Sequence, residues 1–174
     1  LASLVTASLA LLCSAAFAGP PSSFETEVVA ALNVARQQPA SLIPPLQAML
    51  PNFHGTMLMR DAKPSLATIE GAPAVQEAID YLKTATACDA LTWNAGLARA
   101  ARDLVADQSV SGKTGHVGSD GSFTDTRVNR YGEWRTRLGE NIVYGSETSE
   151  AVALDTIIDD GVTDRGHRTS LFDC

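Results

Sequence analysis

Positive charge is what this chain most lacks: 13 Lys and Arg stand against 20 Asp and Glu, a net charge of −7 over 174 residues. No Lys/Arg cluster offers a local exception, so nothing sets up a field for phosphates, and nucleic acid is excluded as a partner. Several catalytic devices are missing too. No serine sits in a G-x-S-x-G elbow and no glycine-rich phosphate loop is present. DGSFTDTR fails as a calcium loop, because glycine stands at its second position and no acid lies at its twelfth. There is no internal repeat and no low-complexity tract. Cysteine is limited to Cys13, Cys88 and Cys174, and histidine to His54, His116 and His167. The chain also shows no initiator Met and no basic segment ahead of its first apolar run.

What is present begins with that run. LASLVTASLALLCSAAFA carries no charge and closes on Ala16-Phe17-Ala18, a small-x-small cleavage pattern. We read residues 1–18 as a secretory signal peptide, incomplete at its start, with Gly19 as the mature N-terminus; a single membrane anchor is the competing reading. On this reading the protein is secreted, to the periplasm or outside the cell, and meets the membrane only transiently. Cys13 leaves with the signal, and Cys88 and Cys174 remain either as one disulfide or as two unrelated thiols. With 45% hydrophobic and 19% charged residues, the rest has ample material for one packed domain.

Periodicity predicts four helices. SSFETEVVAALNVARQQP places Phe24, Val28, Leu32 and Ala35 on one face, with a capping box from Ser22 to Glu25 and a stop at Pro39. APAVQEAIDYLKTAT starts with Pro73 near its first turn, and LTWNAGLARAARDLVADQSVSG has Asn94 as its cap and Gln108 on its apolar face. SETSEAVALDTIIDDG reads as a helix capped by Ser149, and NIVYG before it as a short strand. Residues 40–72 hold four prolines and no steady period, so they read as a long irregular connection in which His54 is a loop residue. Residues 19–90 thus lead into a domain whose motifs fill 91–174.

Three polar clusters stand out: TGHVGSDGSF around His116, RLGENIVYG around Glu140, and DDGVTDRGHRTSLF around His167. Each sets a charged or imidazole side chain beside glycine, whose freedom at positive φ lets a turn aim its neighbour inward. Two imidazoles with one or two carboxylates suit a borderline cation such as zinc. Spacing leaves the plainer roles open, Asp120-Gly121 as a turn and His116 as a cap on a carbonyl.

Taken in order, LTWNAGLARAARD, TGHVGSDGSF, RVNRYG, RLGENIVYG and IIDDGVTDRGHRTSLF resemble the bacterial branch of the CAP superfamily, the SCP domain of cysteine-rich secretory, antigen 5 and pathogenesis-related proteins. The resemblance runs from about Leu91 to Asp173, and VVAALNVAR looks like the family's opening helix. It implies an α/β fold, an α-β-α sandwich whose cleft carries two histidines and two acids, with metal binding known in some members. Position by position, His116, Glu140 and His167 match cleft residues, and the same three would be the metal ligands. The second acid falls on Asp159 or Asp160, one methylene shorter than the glutamate of animal and plant members, and GHRTSLF replaces the animal signature around the second histidine. The resemblance further implies C-terminal strands beyond Cys174, leaving Cys88 with a partner at a frayed end and any bond between the two optional.

Function expected on these grounds is a secreted binding module for a divalent cation, zinc first, and for an unknown extracellular ligand. The rivals are a metal-dependent hydrolase or protease, and a structural envelope protein in which the same residues form a ligand-free polar network.

Overall fold

A computed structural model describes residues 20–174; the expected signal peptide lies outside the described residues. The chain opens with α1 (Ser23–Gln37) and continues through a 3₁₀ turn into α2 (Ile43–Met49). A three-stranded antiparallel sheet follows, β1 (Phe53–His54), β2 (Met57–Arg60) and β3 (Lys63–Ala67), in the order β1-β2-β3. Then come α3 (Ala72–Leu82), α4 (Ala95–Ser111), α5 (Thr124–Asn129), α6 (Ser149–Ile158) and α7 (Gly166–Leu171). The α/β class is the one expected from the sequence.

Helix α1 starts where its sequence says it should. The Ser22 hydroxyl accepts from Glu25 N–H at 3.2 Å and the Glu25 carboxylate accepts from Ser22 N–H at 2.7 Å, the reciprocal capping box, worth about 1 kcal/mol. Glu25 also takes both arms of Arg102 on α4, at 2.7 and 2.6 Å, which holds its carboxyl down at about 2 and ties the start of α1 to α4. At α4 the Asn94 side chain accepts from Gly96 and Leu97 N–H, as predicted, and Gly112 closes the helix in the left-handed region. At α6 the cap is Thr148 rather than Ser149.

The core joins distant parts of the chain. Ala35 of α1, Leu46 of α2, Val75, Ala78, Ile79 and Leu82 of α3, Ile157 of α6 and Leu171 of α7 form one buried cluster. Buried residues of α1, α2 and α3 thus share one core with α6 and α7.

Three expectations are corrected. Residues 40–72 are no irregular connection: they hold α2 and the whole described sheet, with His54 in β1 paired to Met57. NIVYG is not a strand, because among the described residues its backbone has no ladder partner. The end of the chain does not fray from Cys88: Cys88 and Cys174 are joined by a disulfide. Arg36 is the reason the two ends meet. This buried side chain donates from Nε to Asp89 O at 2.9 Å and from Nη1 to Leu171 O and Asp173 O, while its own carbonyl accepts from Cys88 N–H at 2.9 Å. Phe172 adds an aromatic contact with Tyr81, centroids 5.4 Å apart.

Candidate functional site

His116 enters the site from the loop after α4, and glycine makes the loop's path available. Gly115 just before it has φ +96, and a Cβ on Gly118 would come within 2.8 Å of both the Asp120 carboxylate and the Ser122 hydroxyl. The turn is closed by Gly118 N–H to Ser122 O and by Ser122 N–H to the Asp120 carboxylate, both 2.9 Å. Two further side chains fix Gly115: Gln108 of α4 donates to its carbonyl at 2.6 Å, and the Tyr144 hydroxyl accepts from its N–H at 2.8 Å.

The His116 Nδ1 atom lies 2.9 Å from Glu140 Oε1. Behind Glu140 stands Arg127 of α5, whose side chain is only 2% exposed. Its Nη2 donates to both Glu140 oxygens, at 2.9 and 2.7 Å, and its Nη1 donates to His116 O at 3.1 Å and Ser122 O at 2.8 Å. One guanidinium therefore grips both the acid and the backbone of the histidine loop. The Thr124 hydroxyl adds a bond to Glu140 Oε1 at 2.9 Å. Burial alone would raise the Glu140 pKa, but the bonds from Arg127, His116 and Thr124 outweigh it and hold the carboxyl below its ordinary value. An ionised carboxylate can only accept, so Nδ1 of His116 is the donor, and in the neutral ring that tautomer leaves the lone pair on Nε2.

The second half is built differently. Asp159 ends α6 in the left-handed region, φ 56, and this turns its carboxylate onto the N-terminus of α7. Its Oδ2 accepts from His167 N–H at 2.9 Å and Arg168 N–H at 3.2 Å, and its Oδ1 lies 2.6 Å from His167 Nδ1. Asp159 is 4% exposed. Backbone amides, not a cation, hold this acid. Asp160 points elsewhere: its oxygens accept from Ile69 and Glu70 N–H at 2.5 and 2.8 Å and pin the turn between β3 and α3. The choice between the two aspartates therefore goes to Asp159 as the histidine's partner.

The two imidazoles meet across a gap, ring centroids 6.4 Å apart and planes 25° from parallel. The His116–Glu140 and His167–Asp159 pairs thus face each other across this gap, and Asp160 lies outside both pairs. Glu140 stands behind His116 with both oxygens engaged, so it is not presented as a third ligand. Among the described residues no three His, Cys, Asp or Glu converge with metal-cluster spacing. Residues that the sequence reading passed over are Arg127, Thr124 and Tyr144, and Gln108, placed there only on a helix face, fixes the histidine loop. Arg127 had a signal of its own, the first of two arginines in RVNRYG between two polar clusters.

Residues 29–174 match the model of the CAP family, described as the cysteine-rich secretory protein family. The chain belongs to the CAP family. Compared with curated proteins and with solved structures, it has no match. Membership extends the resemblance back from Leu91 into α1, so the CAP region takes in α2, the sheet and α3 as well as the polar clusters. Among the described residues no helix is long and apolar enough to cross a membrane.

Proposed function

We propose that this CAP protein is an exported binding module whose cleft takes a divalent cation, zinc first, between His116 and His167. The observation that carries the reading is the pairing of each imidazole Nδ1 with its own carboxylate, Glu140 for His116 and Asp159 for His167. Metal-binding histidines are commonly oriented in this way, with the second nitrogen left as the ligand. The donor set fits a borderline cation: Nε2 of each histidine would hold it, and the carboxylates would raise their basicity. A bound cation would supply a Lewis-acidic point at which an extracellular ligand's oxygen or nitrogen could dock. Binding is favoured over hydrolysis because both acids are already committed. Glu140 meets Arg127, Thr124 and His116, and Asp159 meets three N–H donors, so neither is poised to take a proton from water.

Zinc calorimetry on the wild type, His116→Ala and His167→Ala tests the reading. Binding should be saturable in the wild type and lost in both variants; equal binding by all three would end the metal proposal. Asp159→Asn keeps the size and tolerates the left-handed backbone, yet should weaken zinc by about 10- to 100-fold through its partner His167. Asp160→Asn should leave zinc affinity within about twofold and show only in the melting temperature. The export part is read by N-terminal sequencing of secreted protein: Gly19 is expected first, and retention of Leu1 or Ala2 would favour an anchor.

A further inference from the structure

The imidazole cleft does not end at Glu140. A hollow of about 370 Å³ opens from His116 and Glu140 past Phe123, Asp125 and Trp134. A second, of about 450 Å³, continues past Tyr131, Glu133 and Leu97 to the start of α4. Trp134 and Leu138 line both, so the two hollows adjoin at the indole and are together termed the furrow. Each is within the size range of small-ligand sites, about 300–1,000 Å³. Phe123 is 58% exposed and Trp134 42% exposed.

We infer that this furrow binds a segment of an uncharged polysaccharide chain, with Trp134 and Phe123 as stacking platforms for successive sugar rings. Aromatic faces carry negative quadrupole density, and the C–H face of a pyranose is its electropositive counterpart, so exposed rings set along a groove match sugars better than they match a compact apolar guest. Carboxylates at Asp125 and Glu133 give hydroxyl groups acceptors at the rim. Charge argues against a sulfated or phosphorylated polymer. The one guanidinium lining the furrow, Arg137, is already paired with Asp173, and the chain carries a net charge of −7. An extended peptide would look for a sheet edge to add to, and this furrow is walled by α4, α5 and the 131–139 loop instead. The site shares His116 and Glu140 with the cation cleft but requires no cation.

Tryptophan fluorescence reports on it, because the chain has two tryptophans, Trp93 and Trp134. The probes are β-1,4-linked hexamers of glucose and of N-acetylglucosamine, titrated with and without EDTA. In wild type and in Trp93→Phe, at least one hexamer should give a saturable shift that EDTA leaves unchanged and that the matching monosaccharide fails to give. Trp134→Phe should retain binding. Phe123→Ala, followed through Trp134, and Trp134→Ala, followed by calorimetry, should each weaken it by about tenfold or more. Failure of both hexamers, wild-type affinity in Phe123→Ala and Trp134→Ala, or loss of binding in EDTA would overturn the inference. Zinc binding with no hexamer binding would remove the furrow and leave the cation reading intact, and the converse would do the opposite.

Discussion

Replacing Arg127 with Met should cost about 3–5 kcal/mol of stability, the usual consequence of removing one member of a buried ion pair. For a chain of this length that is a fall in melting temperature on the order of 10 °C. The side chain is 2% exposed and its partner Glu140 15%, so water cannot take the place of the guanidinium. Five bonds go at once, two to Glu140 and one each to His116 O, Ser122 O and Thr124 Oγ1. The pH dependence should change as well. Because its pKa is lowered by folding, Glu140 stabilises the protein above the ordinary carboxylate value of 4.5, and that contribution is lost as pH falls through the lower folded value. Without Arg127 the effect of burial is no longer outweighed in the same way, so the folded pKa of Glu140 moves back up and the loss of stability that Glu140 contributes on acidification should shrink or reverse. Melts from pH 3 to 7 on the wild type, Arg127→Met and Arg127→Met with Glu140→Gln measure this. The double variant should recover part of the loss, since it no longer buries an unpaired charge. A single variant as stable as the wild type would mean that Arg127 does not hold the cleft.

Reduction of the disulfide is the second large effect. Cys88 and Cys174 are 86 residues apart, and closing a loop of that length stabilises the folded chain by about 4–5 kcal/mol in the chain-entropy account. Melting with reductant should therefore fall by roughly 10 °C or more, and Cys88→Ala should match the reduced wild type. The loop so closed contains His116, Glu140, Asp159 and His167, so reduction should also weaken whatever the cleft binds. No change on reduction would mean that the contacts of Arg36 and Phe172 hold the end by themselves.

The sequence was most legible where a local rule acts alone. The capping box at Ser22, the Asn94 cap and the stop after α1 depend on neighbours a few residues away, and each is found as read. The sheet was hidden by its own chemistry. Strand β3 contains Pro64 and is exposed throughout, and β2 buries Leu58 alone, so neither alternates between apolar and polar. The turn joining them uses Ala62 at φ 55, where a glycine or asparagine would have signalled a hairpin. NIVYG misled for the opposite reason, since an apolar run of strand length says nothing about a ladder partner. In the cleft, residue types were readable but directions were not. Asp159 and Asp160 are adjacent and chemically equal, and only the left-handed turn at Asp159 sends one to His167 and the other to the β3–α3 turn.

The burial of α1 against α6 bears on how the chain acquires its structure in time. Ala35 and Leu46 reach their final surroundings only when Ile157 and Leu171 are in place, more than a hundred residues later. Contacts so far apart in sequence raise the entropic barrier to folding and slow the rate. During synthesis, the apolar surface that α1 and α3 turn toward α6 would stay uncovered until α6 is made. The core should therefore close late and in one step, and the kinetics of refolding should show no early protection of α1 that survives deletion of α6.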